Sequence, residues 1–87
     1  MSTALFRITE YEGPRASGPE ELRPVYHSSR ENPMCLRDAS RYAAALSYAR
    51  GAYVRVWSDT PGEYQEFWYV GQITRPENVP AIRGGAA

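Results

Sequence analysis

The chain contains no lysine. All of its basic residues are arginine, ten in number, and ten Asp and Glu bring the formal net charge of the 87-residue chain to zero. At the level of the whole chain this excludes the strongly basic footprint of a nucleic-acid-binding domain. Cysteine is nearly absent as well, and with Cys35 alone no intramolecular disulfide can form. One cysteine and one histidine, His27, cannot supply the three or four ligands of a zinc site. No carboxylates cluster for a hard cation, and no glycine-rich phosphate loop is present, since Pro61-Gly62 reads as a turn and Gly84-Gly85 as part of a tail. No cofactor is therefore expected. No apolar run approaches the ~20 residues that span a bilayer. The first residues, Met1 to Arg7, lack the basic-then-apolar layout of a signal peptide. The expectation is a cytoplasmic protein with no membrane contact.

What is present points to a packed domain. Hydrophobic residues make up 43% and aromatics 13%, too apolar a composition for a disordered chain. The length sets a limit of one domain, taken as residues 1–83, with 84–87 as a disordered tail.

Residues 3–11 read as a strand in which Phe6 and Ile8 alternate with Arg7 and Thr9, ended by Gly13-Pro14. Residues 13–32 hold Pro14, Pro19 and Pro24 and are read as an ordered but irregular excursion, with Pro24 to His27 as a short extended piece. The clearest element is a helix over 36–50. Leu36, Ala39, Ala43, Leu46 and Arg50 follow helical spacing, widened by Tyr42 and Ala49. Asp38 complements the dipole at its start, and Gly51 suits a left-handed stop. Residues 52–59 and 64–72 then alternate with period two about the turn Thr60-Pro61-Gly62-Glu63, which predicts a hairpin. A four-residue loop there places Val54 and Val56 on one face with Phe67 and Tyr69. It places Tyr53, Arg55 and Trp57 on the other with Glu66 and Trp68. Val79 and Ile82 are candidates to dock on the core. The fold expected is α+β: a three-stranded antiparallel sheet with one helix packed on one face, in the order β-α-β-β.

Chemistry-bearing constellations are weak. Ser28 or Ser29, or Cys35, with His27 and a carboxylate such as Glu31 or Asp38, form an imaginable nucleophile-base-orienter set, but nothing matches a nucleophile elbow or a known Cys-His spacing. Cys35 stands at the start of the helix, where the dipole can lower a thiol pKa; more often such a residue is simply a small apolar packing group against the sheet. The expectation is that the protein is not an enzyme.

One helix covers only one face of a three-stranded sheet. The uncovered face would display Leu5, Arg7, Tyr53, Arg55, Trp57, Glu66 and Trp68; Tyr53, Arg55, Trp57, Glu66 and Trp68 are the expected contacts, rich in the Trp, Tyr and Arg that dominate interface hot spots. Three readings of it compete: a second small core, closed by residues 13–32 or the C-terminal tail; a protein interface, with a partner or as a homodimer; and a stacking platform for single-stranded bases. Arg23, Tyr26, His27 and Arg30 on the excursion form a second candidate patch.

The stretch from Leu36-Arg37-Asp38-Ala39 through Tyr53-Val54-Arg55-Val56-Trp57 to Glu66-Phe67-Trp68-Tyr69, a helix leading into a hairpin after an isolated strand, resembles the layout of small phage and mobile-element accessory proteins. The resemblance covers about half of the chain and carries no functional residue with it. It implies the cytoplasm of a bacterial host and an inhibitor that docks on a larger protein complex, of the anti-CRISPR or other anti-defence type. The functional expectation is thus a non-enzymatic protein-binding protein, with a single-stranded nucleic-acid binder as the alternative.

Overall fold

The computed structural model describes residues 4–13, 21–28 and 31–82. The tail at 84–87, and with it the end of the expected domain, lies outside them.

The helix forms where the spacing places it. α1 runs Leu36–Arg50, with Asp38 in its first turn and Arg50 in its last, where each charge complements the dipole. It stops at Gly51, whose left-handed backbone (φ 60°) turns its N–H back to the Ser47 carbonyl. The face it buries is Ala39, Ala43 and Ser47, with Leu46 packed beside them. Leu36 and Tyr42, expected on that stripe, are 37% and 42% exposed. Small side chains at the contact let the helix sit close to the sheet, so the larger ones spread to its flanks.

The sheet differs from expectation. It has six strands, and it is mixed rather than antiparallel. The strands are β1 (Arg7–Glu12), β2 (Glu21–His27), β3 (Tyr53–Trp57), β4 (Glu66–Tyr69), β5 (Gln72–Thr74) and β6 (Ala81–Ile82), arranged in the order β5-β4-β3-β1-β2-β6. The three-stranded antiparallel sheet is thereby overturned. β2 lies inside the segment read as irregular. Pro24 hides it in the sequence, and so does a bulge: Glu10 pairs with Tyr26 but Tyr11 with Pro24, which leaves Val25 as the extra residue. Beyond Leu22 nothing among the described residues pairs with the outer edge of β2, and an edge is where a sheet tolerates proline. β6 adds in parallel through Glu21↔Ala81 and Leu22↔Ile82. It is a two-residue strand that no periodicity could reveal.

The third difference is register. β3 and β4 are joined by residues 58–65, not by a four-residue loop. Tyr53 pairs with Tyr69, Val54 with Trp68, Arg55 with Phe67 and Val56 with Glu66. Directly paired residues share a face, so each residue of β4 stands on the face opposite to the one expected. Trp68 and Glu66 lie on the helix side with Val54 and Val56; Phe67 and Tyr69 lie on the other side with Tyr53, Arg55 and Trp57. The expected four-residue loop would pair odd positions with even ones; the observed register pairs odd with odd and even with even, which inverts every face of β4.

Two hydrophobic clusters result, one on each face. Beneath the helix, Phe6, Ile8, Val54 and Val56 pack on Ala39 and Ala43, with Met34, Leu46 and Trp68 at the margin. Phe6 is tied in by a backbone bridge to Met34 (N–O 2.7 and 2.8 Å). On the other face Tyr11, Leu22 and Phe67 are buried, with Tyr53, Val79 and Ile82 packed against them. The C-terminal segment thus covers part of the face expected to be open, and Val79 and Ile82 do dock on a core.

β4 and β5 form a hairpin about Val70-Gly71, both at positive φ (48° and 79°). This is the turn geometry that suits Asn-Gly and strains a β-branched residue. The turn is pinned to the helix: the Gly71 N–H donates to Ser47 Oγ at 3.0 Å, and Ser47 Oγ–H donates to the Ala44 carbonyl at 3.0 Å. Gly71 itself has no room for a side chain without crowding, since a Cβ would lie 3.3 Å from Tyr48 Cβ. Val70, 44% exposed, loses little burial on replacement. Val70→Asn is expected to raise stability by about 1 kcal/mol through relief of this strain, read as a higher midpoint in urea unfolding.

Candidate functional site

The part of the sheet that the C-terminal segment leaves uncovered centres on Trp57. The register explains its neighbours. Arg7 stands directly across from Trp57, and Arg55 lies two residues back on the same face, opposite Thr9. Both guanidinium groups reach the indole: Arg7 Cζ is 4.8 Å and Arg55 Cζ 5.2 Å from its ring centroid. The Trp57 Nε1–H donates to Thr9 Oγ1 at 2.8 Å. Thr9 Oγ1 also lies in a hydrogen bond 2.9 Å from His27 Nδ1. A continuous chain Trp57–Thr9–His27 therefore fixes the indole.

The two arginines differ in their remaining contacts. Arg7 is largely buried (side chain 14% exposed); its Nε and Nη2 donate to the Ser28 carbonyl at 3.4 and 3.0 Å, and its Nη1 meets Asp59 Oδ1 at 3.3 Å. Arg55 donates from Nε to Gln65 Oε1 at 2.8 Å, and its positive charge acts on the Tyr11 phenol. Burial pushes the Tyr11 phenol up, against the opposing pull of Arg55. Further along the face Tyr53 and Tyr69 stack, with centroids 4.2 Å apart and planes at 17°. Burial raises the Tyr53 pKa, and the neighbouring Tyr69 adds to the rise.

Of the five residues expected to form one surface, Tyr53, Arg55 and Trp57 are brought together. Glu66 and Trp68 are placed beneath the helix. There the Glu66 carboxylate accepts from Ser40 Oγ–H, from Tyr64 O–H at 2.6 Å and from Trp68 Nε1–H at 2.8 Å. Burial alone would raise its pKa; the three hydrogen bonds outweigh that and hold it below the ordinary carboxyl value. Tyr64, though half-exposed, shifts the other way, because its proton is held by Glu66 and, secondarily, through partial desolvation.

The second candidate patch is dispersed. Arg23 pairs with Glu12. Tyr26 pairs with Glu10 on the helix side of the sheet. His27 joins the Trp57 face through Thr9, and Arg30 lies outside the described residues. Nor does the imagined catalytic set assemble as written. Ser28 Oγ is committed to the Ile8 N–H at 2.9 Å. Cys35 is the exposed residue that precedes the helix, and its side chain makes no capping bond. Ser29 lies outside the described residues. Among the described residues no three of His, Cys, Asp and Glu gather as ligands, and no helix is long and apolar enough to cross a membrane.

A groove of about 660 Å³ opens at the end of the sheet by the helix C-terminus, lined by Glu10, Glu12, Val25, Arg50 and Tyr53 among others. Its carboxylates are paired, Glu10 with Arg50 Nε at 2.5 Å and Glu12 with Arg23.

No family model, curated protein or solved structure matches this chain. The site is accordingly argued from its own geometry. Arg7 was expected on this face but not as a contact, and Thr9 and Gln65 were not singled out. The two-residue period of residues 3–11 could have found Thr9 beside Arg7, had the pairing of β1 beside β3 been known.

Proposed function

We propose that this is a non-catalytic protein-binding protein that docks on a larger protein through the face built around Trp57. The observation that carries the reading is Trp57 held in place by Arg7, Arg55 and Thr9. Trp and Arg dominate the energetics of protein interfaces, and here they meet a partner already oriented, which lowers the entropy cost of binding. In the form suggested by the layout of the helix and hairpin, the protein is a phage or mobile-element accessory, and docking inhibits or modulates the complex it engages.

A tagged pull-down from bacterial lysate tests this. The expected result is a stoichiometric protein partner whose recovery falls about thirtyfold with Trp57→Ala, corresponding to about 2 kcal/mol, while the variant stays folded by circular dichroism. A folded Trp57→Ala protein that retains its partner in full would overturn the reading.

A second reading, a single-stranded nucleic-acid binder, gains from one finding. Glu66, the negative charge expected in the middle of this face, lies on the other side of the sheet, and the stacked Tyr53 and Tyr69 take its place. Recovery of nucleic acid in place of protein, weakening steeply with salt, is the result that would favour it.

A further inference from the structure

We propose that Arg55 is the receptor for a carboxylate, and that the partner presents an acidic peptide segment to the Trp57 face. This inference rests on the docking reading above and specifies its chemistry. Arg7 already meets Asp59 and the Ser28 carbonyl. No carboxylate among the described residues pairs with Arg55. Yet its guanidinium is held from two sides: Gln65 Oε1 takes Nε–H, and the Trp57 ring lies 5.2 Å from Cζ. A guanidinium carries five donors in a planar fork that matches a carboxylate. Fixing its plane in advance serves recognition, because the partner's acid then meets a donor pair that is already aligned. The His27 ring, hydrogen-bonded to Thr9, adds a polar group on the same face.

The charge pattern decides between a carboxylate and a nucleic-acid strand. A strand displays a phosphate at every nucleotide and is held by several cations. Among the described residues this face offers one arginine without a carboxylate, with Asp59 beside Arg7, in a chain of zero net charge. One oriented fork suits one acidic side chain.

The test is a heteronuclear NMR titration of the full chain with three probes: a capped alternating Glu-Gly peptide, its Gln-Gly counterpart, and an oligothymidylate strand. The Glu-Gly peptide is expected to shift the Trp57 Nε1–H and Arg55 Nε–H resonances to saturation, and the Gln-Gly peptide to leave them unmoved. Arg55→Lys keeps the charge but loses the fork and is expected to weaken binding about tenfold. Gln65→Ala, at an exposed position that only orients Arg55, gives a smaller loss and serves if Arg55→Lys perturbs the amide spectrum. Equal shifts from the Gln-Gly peptide, no shifts from the Glu-Gly peptide, or tighter binding of oligothymidylate at the same resonances would each overturn the assignment. If the acidic peptide fails while a protein partner is still captured and still lost in Trp57→Ala, only the acid specificity falls and the docking reading stands.

Discussion

Leu22→Ala is expected to destabilise the protein by about 3 kcal/mol, the cost of removing a fully buried leucine and leaving a cavity behind. In a domain of this size that lowers the melting temperature by roughly 15 °C. Leu22 is completely excluded from solvent and packs with Tyr11 and Phe67 on the face away from the helix. Its backbone also pairs with Ile82 of β6. The substitution therefore tests the feature in which the structure departs furthest from expectation. If residues 13–32 were an irregular excursion, a leucine within them would tolerate truncation, with a change under about 0.5 kcal/mol as for ordinary surface sites. Thermal and urea unfolding of the variant distinguish the two. A small effect would mean that β2, β6 and the second cluster are not part of the folded domain.

Glu66→Ala is expected to cost a similar amount, about 3 kcal/mol, for a different reason. Three donors, Ser40 Oγ–H, Tyr64 O–H and Trp68 Nε1–H, converge on this carboxylate beneath the helix. Glu66 is 8% exposed, so truncation strips those donors of their acceptor where water replaces it poorly. Glu66→Gln keeps one acceptor oxygen but sets an amide N–H₂ against a donor, with an expected loss of about 1.5 kcal/mol. A pH dependence follows as well. The folded-state pKa lies below the ordinary value of 4.5, so the ionised carboxylate stabilises the fold. That contribution is fully present above pH 4.5 and is lost as pH falls below it through the folded-state value. Wild type is thus expected to lose stability on acidification more steeply than Glu66→Gln, and the gap between them should narrow towards pH 3. Urea unfolding of both proteins at pH 7 and pH 3 reads this directly. A gap that does not change with pH would remove the ionised carboxylate from the account of the fold.

These two residues show where the sequence could be read and where it could not. Glu66 was expected beside Trp68, and the two do share a face and a hydrogen bond. Alternation within a strand is local, so residues two apart stay together whatever the strand pairs with. Which face they share depends on the parity of the loop between β3 and β4. The turn signal Thr60-Pro61-Gly62-Glu63 marks a reversal without fixing where pairing resumes. Arg55 and Trp57 were likewise legible as neighbours on β3, and Arg7 as a residue of the same face, whereas its place directly across from Trp57, and the entry of Thr9, come from a strand more than forty residues away through the β1–β3 pairing.

By itself, the sequence determined the helix, end to end, because helical periodicity, the dipole charges and the glycine stop are all encoded within residues 36–51. It also determined the alternating character of β1, β3 and β4, and the absence of an internal disulfide. Tertiary structure decided the rest. β2 and β6 are too interrupted or too short to show a period, and each is a strand because a neighbour supplies its hydrogen bonds. The faces of the hairpin were decided by register, a long-range quantity in which one residue of slip inverts every side chain. The same register moved Glu66 out of the candidate interface and into the packing beneath the helix, leaving Trp57 between two arginines as the feature most suited to binding.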